Sequence, residues 1–432
     1  MSDDMATTHR ALSALVTPVD AKITVRKDPT KPYVGLENIP SRGAHLVGWA
    51  LASSSISTNS IFQAGDVLFG KLRPNLRKCI VAPFDGYCST DILVLRSNEG
   101  VDPSFAGKVL RTEHVGAAAE MTSVGTKMPR TSWKHLSELE VFCPGLPEQS
   151  KIAQILDTLD TAIHETEAII TKLKAVKQGL LHDLMTHGIG ANGELRPPQV
   201  EAPHLYKESP LGWIPKEWDT DILGDTIDHV MDFRGRTPKK LGMDWAGGEI
   251  LALSANNVQP GGIDISREAY FGSEKLYRKW MTNGDTRKGD VLLTMEAPLG
   301  NIAQIPDDSK YILSQRVIAL RFKRLRVLND FAFWQMQGTE FQQAMVRRST
   351  GSTATGIQRA ELVKLDFRVP PVAEQSLIAE RMFAIESALI NESLALEKQK
   401  MEKAGLMDDL LTGSIRVTPL LAPTEHEMEG RV

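Results

Sequence analysis

Metal and redox chemistry have little to work with in this chain. Its three cysteines, Cys79, Cys88 and Cys143, form no CxxC pair, and its ten histidines fall in no HExxH or mixed Cys/His spacing. A bound metal needs ligands at such spacings, so no metal site is expected, and unpaired thiols fit a reduced cytoplasmic setting. No apolar run approaches the length of a membrane span, and the opening "MSDDMATTHRALSAL" has neither the basic start nor the apolar core of an export signal. There is no GxGxxG, no GxSxG, no complete Walker A, no Asn/Asp-Pro-Pro-aromatic tetrapeptide, and no compact acid–acid–Lys nuclease motif in convincing context. Intrinsic catalysis and a bound cofactor are therefore not expected.

One near miss is informative. "GDVLFGKLRPNLRK" begins at Gly65 and runs Gly, four residues, then Gly70-Lys71, as a phosphate-binding loop would. The next residue is Leu72, where a magnesium-holding hydroxyl belongs. A second stretch, "GDVLLTMEAPLG" from Gly289, keeps Gly-Asp-Val-Leu and drops Gly-Lys. The shared element is a glycine turn followed by an apolar strand, and "GKLRPNLRK" is a basic loop particular to the first copy.

What the chain does contain is itself, twice. Pro144–Ile189 aligns without a gap on Pro370–Ile415 at a constant offset of 226, and from Glu148 and Glu374 onward 15 of 42 positions are identical, which is duplication. The flanks correspond too: "TDILVLR" at 90–96 with "QRVIALR" at 315–321, and "LSELEVFCP" at 136–144 with "LVKLDFRVP" at 362–370. Each repeated segment reads as a long helix. In the first, Ile152, Ile155, Leu159, Ala162, Ile169, Leu173, Val176 and Leu180 form a narrow seam interrupted by Thr166; Ile378, Met382, Ile385, Leu389, Leu396, Leu406 and Leu410 form a weaker one. Pro147 and Glu148 suit a helix start, Gly188 and Gly190 a stop. A narrow seam needs a partner, and the economical partner is the other copy. An antiparallel pair roughly 57 Å long, at 1.5 Å per residue, would relate the two halves by an approximate twofold axis.

The flanking regions read as mixed α/β modules. "DVLFG", "KCIVAP" and "DILVLRS" precede a helical stretch at 103–121, and "DVLLTM", "IAQIP" and "RVIALRF" precede another at 328–348. The expected class is α+β: module 1 over 1–146, helix 147–189, a Pro-rich linker 190–209, module 2 over 210–370, helix 371–415 and a tail 416–432. Trp213 and Trp218 are expected to be packed anchors. Net charge is −4, which argues mildly against a protein that simply coats nucleic acid, and the local distribution matters more. Basic residues cluster locally, at Lys71–Lys78, Arg234–Lys240, Arg321–Arg326 and Arg347-Arg348, while acids such as Glu425, Glu427 and Glu429 gather in the tail.

Taken together, the two "PxxxEQ" openings at Pro144–Gln149 and Pro370–Gln375, the "GDVLFGKLRP" and "CSTDILVLR" pair, "LGWIPKEW" at 211–218, and "GTKMPRTSWKHLSELEV" with its counterpart "GSTATGIQRAELVKLDF" resemble a specificity subunit of a type I restriction–modification system over nearly the whole chain. The first module departs from the pattern by lacking a "GWIPKEW" opening and starting with "KITVRKDPTKPYVGLENI". The resemblance implies two target-recognition domains, each reading half of a bipartite site in double-stranded DNA, joined by an antiparallel coiled coil. It further implies two methyltransferase subunits using S-adenosylmethionine, and restriction subunits using ATP and Mg2+; none of these cofactors is expected on this chain. The rival readings are a coiled-coil scaffold without DNA binding and a self-sufficient fused enzyme, for which the duplicated chain leaves no room.

The residues expected to contact DNA are Lys71, Arg73, Arg77, Lys78, Lys127 and Arg130 in module 1, and Arg234, Arg236, Lys239 and Lys240 in module 2; arginine and lysine neutralise phosphate, and arginine reads guanine edges. Identity between the helices concentrates at 148–153 and 172–189 rather than along the seam. Lys172, Lys174 and Lys177, with Lys398, Lys400 and Lys403, are therefore expected to dock the methyltransferase subunits.

Overall fold

The computed structural model of the chain describes residues 9–24, 30–54, 57–245, 247–351 and 355–421. The tail acids Glu425, Glu427 and Glu429, and parts of the "KITVRKDPTK" and "GSTATG" segments, lie outside the described residues. The chain forms two compact units, one built from the residues up to Ile169 together with those from Glu392 onward, the other from Ile170–Asn391. The boundaries fall within the long helices rather than at their ends. Each unit holds one module, half of one long helix and half of the other.

The first unit is built on an antiparallel sheet ordered Val16–Pro18, Ile92–Ser97, Val67–Gly70, Cys79–Val81. The second repeats it as Ile227–Asp232, Val317–Phe322, Val291–Met295, Leu299–Gln304. Each also has a two-stranded ladder leading into a long helix, His9–Ala11 with Glu140–Phe142 and Asp219–Ile222 with Asp366–Val369. The helical stretches expected at 103–121 and 328–348 are each two helices, Pro103–Leu110 with Glu113–Met121 and Asn329–Gln337 with Thr339–Arg347. Thr112 restarts the first, its hydroxyl accepting from the Val115 amide; Gly338 stands between the second pair. Pro103 and the Asp102 cap fix the start, so Phe105, Ala106, Val109 and Leu110 all bury, each fully buried large side chain contributing about 1.5–3 kcal/mol. Trp218 is fully buried as expected, but Trp213, on the strand Gly212–Pro215, is half exposed. The linker is tied down: Arg196, within it, is buried against Glu374.

The repeated Gly-Asp turn has a structural cause. Gly65 and Gly289 both take a left-handed backbone (φ +89° and +83°), which only glycine adopts without cost. The following aspartates are buried and clasp the arginine one residue before the end of the neighbouring strand. Asp66 accepts from Arg96 at 2.7 and 2.8 Å and from its own turn at the Gln63 amide; Asp290 accepts from Arg321 at 2.9 and 2.6 Å and from the Arg287 amide. "GDVL" and "LR" are thus one bidentate pair written at two places in each module.

The long helices run Leu146–Thr186 and Val372–Thr412. Within the first unit Glu148 meets Arg416, Asp160 meets Lys403 and Glu167 meets Lys400, so one helix ascends as the other descends. In the second, Lys177 meets Glu386, and Leu184 and Met185 pack in one core with Ile378, Ala379 and Met382. The antiparallel pairing holds in each. The first seam departs from the expected one at two positions, Ile169 and Val176, which are half exposed, while Leu156, Asp160, Thr166 and Ile170 are buried. Counting only apolar letters skips Asp160 and treats Thr166 as a gap, when both lie on the contact face. The second seam is as expected at Ile378, Met382, Leu389 and Leu410.

The "EQ" pair closes each unit. Gln149 donates to the Pro144 carbonyl and accepts from the Asp102 amide; Gln375 donates to Pro370 and accepts from Leu328. Glu148, at a helix start, accepts from Arg416 at 2.8 and 2.6 Å and from the Val417 amide, and Glu374 accepts from Arg196 and the Ile189 amide. Each glutamate grips the chain leaving the other helix.

Two stability experiments follow. Asp290→Ala leaves Arg321, 17% exposed, without its carboxylate and should cost about 3 kcal/mol in urea titration. Asp66→Ala, whose partner Arg96 is 46% exposed, should cost only about 1–2 kcal/mol. Burial opposes charge on Asp160, but Arg111, Lys108 and Lys403 override it and hold its carboxyl at about 2 against an ordinary 3.8. Its contribution is therefore complete above 3.8 and lost as pH falls through 2. Thermal melts of Asp160→Asn should show a smaller acid-side loss than the parent.

Candidate nucleic-acid interface

The basic loop of module 1 spans the hairpin between Val67–Gly70 and Cys79–Val81. Pro74–Leu76 form a single 3-10 turn, bracketed by Arg73 and Arg77, both left-handed (φ 52° and 51°) at a cost of about 1–2 kcal/mol each. Backbone strain of this kind persists where surrounding contacts enforce it. Here a second loop enforces it: the Arg73 amide donates to the Pro129 carbonyl, the Thr131 amide to Lys71, and Leu72 and Val124 both bridge to Arg130. Lys71, Arg73, Lys127 and Arg130, far apart in sequence, are thereby gathered on two adjoining loops. Arg130 is held in a fork by Asp91 at 2.8 and 3.2 Å, and this contact lowers the Asp91 carboxyl while raising the guanidinium.

Arg77 and Lys78 have other work. The Arg77 side chain is 9% exposed and pairs with Glu113 and Glu120; the Lys78 ammonium donates to the Leu36 carbonyl at 2.6 Å. They hold the loop base. Among the described residues Lys71, Arg73 and Lys127 make no ion pair.

Module 2 rebuilds the same backbone with different side chains. Glu296 bridges to Gly356, and Gly356 to Thr350, at the places of Leu72, Arg130 and Val124. Where module 1 pairs Asp91 with Arg130, module 2 pairs Arg316, itself left-handed at φ 69°, with Glu296 at 3.2 Å. The expected basic cluster is divided. Arg234 lines a cavity of about 410 Å³ with Glu296, Thr350, Gln358 and Arg359, oriented by Asp232 at 2.9 and 2.7 Å. Arg236 instead ties to the Trp280 carbonyl and Thr282, and Lys240 to the Gly235 carbonyl, stabilising the short Pro238–Leu241 turn that Thr237 caps. Lys239 is exposed on that turn. Arg316 and Arg359 were absent from the sequence expectation; the signal that finds them is alignment on Asp91 and on the residues after Arg130.

Of the six helix lysines, three are engaged within the chain. Lys403 and Lys177 bridge the helix pairs at equivalent positions, to Asp160 and Glu386, and Lys400 bridges to Glu167. The repetition of Lys177 and Lys403 is accounted for by helix register. Lys172, Lys174 and Lys398 are exposed. The thiols are poor nucleophiles, burial pushing Cys79 and Cys88 up to about 12.

One kind of domain present twice is also what comparison with known proteins finds. The family model for the type I restriction modification DNA specificity domain matches residues 21–175 and again 215–400. The chain belongs to this family. Among its relatives, the type I restriction enzyme MjaVIII specificity subunit of Methanocaldococcus jannaschii is 26% identical over 68% of this chain and 67% of its own. The putative MjaX specificity subunit of the same organism is 25% identical over 82% and 79%. The EcoDI specificity subunit of Escherichia coli is 30% identical over 39% and 37%. A type I restriction-modification S subunit from M. genitalium superposes with a TM-score of 0.58 at 14% identity, over 95% of this chain and 98% of that one. A chain from a type I R-M complex superposes at 0.52 and 16%, over 94% and 98%. These likenesses fix the fold. The specificity-domain repeat replaces the bare scaffold reading, since that reading left the paired modules unexplained.

Proposed function

We propose that this type I specificity subunit recognises DNA without itself catalysing a reaction, each module reading one half of an asymmetric bipartite site. The observation that carries the proposal is the loop scaffold built twice with exchanged side chains: Lys71, Arg73 and an Asp91–Arg130 fork in one module, Arg234, Arg359 and an Arg316–Glu296 pair in the other. Equal scaffolds place the readers alike; unequal side chains give the halves different sequences. Forked arginines present fixed donors to base edges, while Lys71, Lys127 and Lys239 supply phosphate attraction that salt weakens. Methylation by two methyltransferase subunits with S-adenosylmethionine, and ATP- and Mg2+-dependent restriction, belong to partner subunits docked on this chain in the cytoplasm. No helix among the described residues is long and apolar enough to cross a membrane.

Methylome sequencing of the host tests this directly. Deleting the gene should abolish one bipartite adenine-methylation motif; its survival would refute the proposal. Arg73→Ala should relax or weaken recognition at one half only, by about 1–3 kcal/mol, with the other half unchanged. For docking, the exposed lysines are the candidates. Exchanging Lys172, Lys174 and Lys398 for alanine should reduce co-purified methyltransferase while leaving the melting temperature unchanged, and full recovery of the partner would remove them from the interface.

A further inference from the structure

The two repeats differ where helix pairing does not require it. At equivalent positions both have an acid–lysine bridge between the long helices, Asp160 with Lys403 and Glu386 with Lys177. In the second unit the surroundings are neutral: Trp334 lies 5.3 Å beneath the Lys177 ammonium, with Gln337 and Ile390 at the neighbouring repeat positions. In the first unit those three positions are Lys108, Arg111 and His164. Asp160, 4% exposed, is consequently contacted by Lys108, Arg111 and Lys403 at once. Asp157 answers only Lys108. Positive charge is in surplus in a buried place, and burial together with Arg111 pushes the Lys403 ammonium below its ordinary value.

That surplus faces a cavity of about 820 Å³ between the helix pair and the loop Pro40–Val47. Its wall presents Arg42, His45, Arg111, His164, Lys400 and Lys403 against the two acids Asp160 and Glu167. The two imidazoles stand 5.0 Å apart, one from the loop and one from the helix; Arg42 sits at a left-handed turn (φ 57°), with one guanidinium nitrogen on Glu113 at 3.1 Å and the rest of the fork open to the cavity.

We propose that this cavity binds an anion carrying two or more phosphate groups. Guanidinium, ammonium and imidazole donors converge there from four separate segments, as multivalent phosphate recognition requires. The volume suits a ligand larger than a single phosphate. Repeat comparison removes the architectural explanation, since the second unit pairs its helices at the same place with Trp334, Gln337 and Ile390. Two sources share this chemistry: a free polyphosphate, and the backbone of bound DNA, because the Arg42 amide donates to the carbonyl of Arg77 at the base of the candidate DNA loop.

Isothermal titration of the full chain with inorganic tripolyphosphate is the test. A one-to-one isotherm is expected, weakened about tenfold or more by Arg111→Gln, which installs the second repeat's residue. Arg42 and His164 are exposed, so Arg42→Ala with His164→Ile keeps the test valid should Arg111→Gln fail to fold; this pair should also weaken binding several-fold. No binding, or binding unchanged in the Arg42/His164 variant, overturns the proposal. Repeating the titration with a saturating duplex that lacks the recognition sequence separates the sources: loss of tripolyphosphate binding assigns the cavity to backbone phosphates, and retention assigns it to a free polyphosphate.

Discussion

The carboxylate at the start of each long helix is the contact on which each unit depends. Glu148 and Glu374 are buried, and a buried carboxylate is costly unless its charge is answered. The answer comes from chain lying beyond the end of the other helix: Arg416 with the Val417 amide, Arg196 with the Ile189 amide. A slip of the helices by one turn would leave both an acid and an arginine without partners. The glutamates thus act as register pins, with Asp160–Lys403 and Glu386–Lys177 as a second pair further along.

Within each module the Asp–Arg clasp plays the corresponding part. It sits at one end of the central hairpin, beneath a glycine turn, and fixes the strands whose opposite end carries the variable loop. Loop residues can then change without disturbing the platform. The module loops differ in length and charge, yet both lie against a second loop through the same three-residue bridge pattern, Leu72–Arg130–Val124 and Glu296–Gly356–Thr350.

Repetition made much of this legible before any coordinates. The duplicated helices, their antiparallel pairing and the strand order behind "GDVL" and "LR" all appear in the sequence because each is written twice. The candidate interface was legible only in part. Arg77, Lys78, Arg236 and Lys240 look alike in sequence to Arg73 and Arg234, but a basic letter does not say whether its carboxylate or carbonyl partner lies elsewhere in the chain. Arg316 and Arg359 were missed because they stand alone rather than in a cluster. Along the helices, Asp160 sits on the seam at a position that apolar periodicity passes over, and strands of two or three residues such as Lys22–Ile23 and Ala50–Leu51 are too short for alternation to register.

The composition of the units also sets an order of events on the ribosome. Ile170–Asn391 is one uninterrupted stretch, so everything the second unit needs has been synthesised once residue 391 emerges. The first unit draws Leu410, Leu411 and Val417 into its core, and Glu148 waits for Arg416. Domains usually complete from the N-terminus onward as they are made. Here the module translated first is finished last, and until then it carries an uncovered apolar face and an acid with no counter-charge, which makes the nascent chain's first half the one in need of protection.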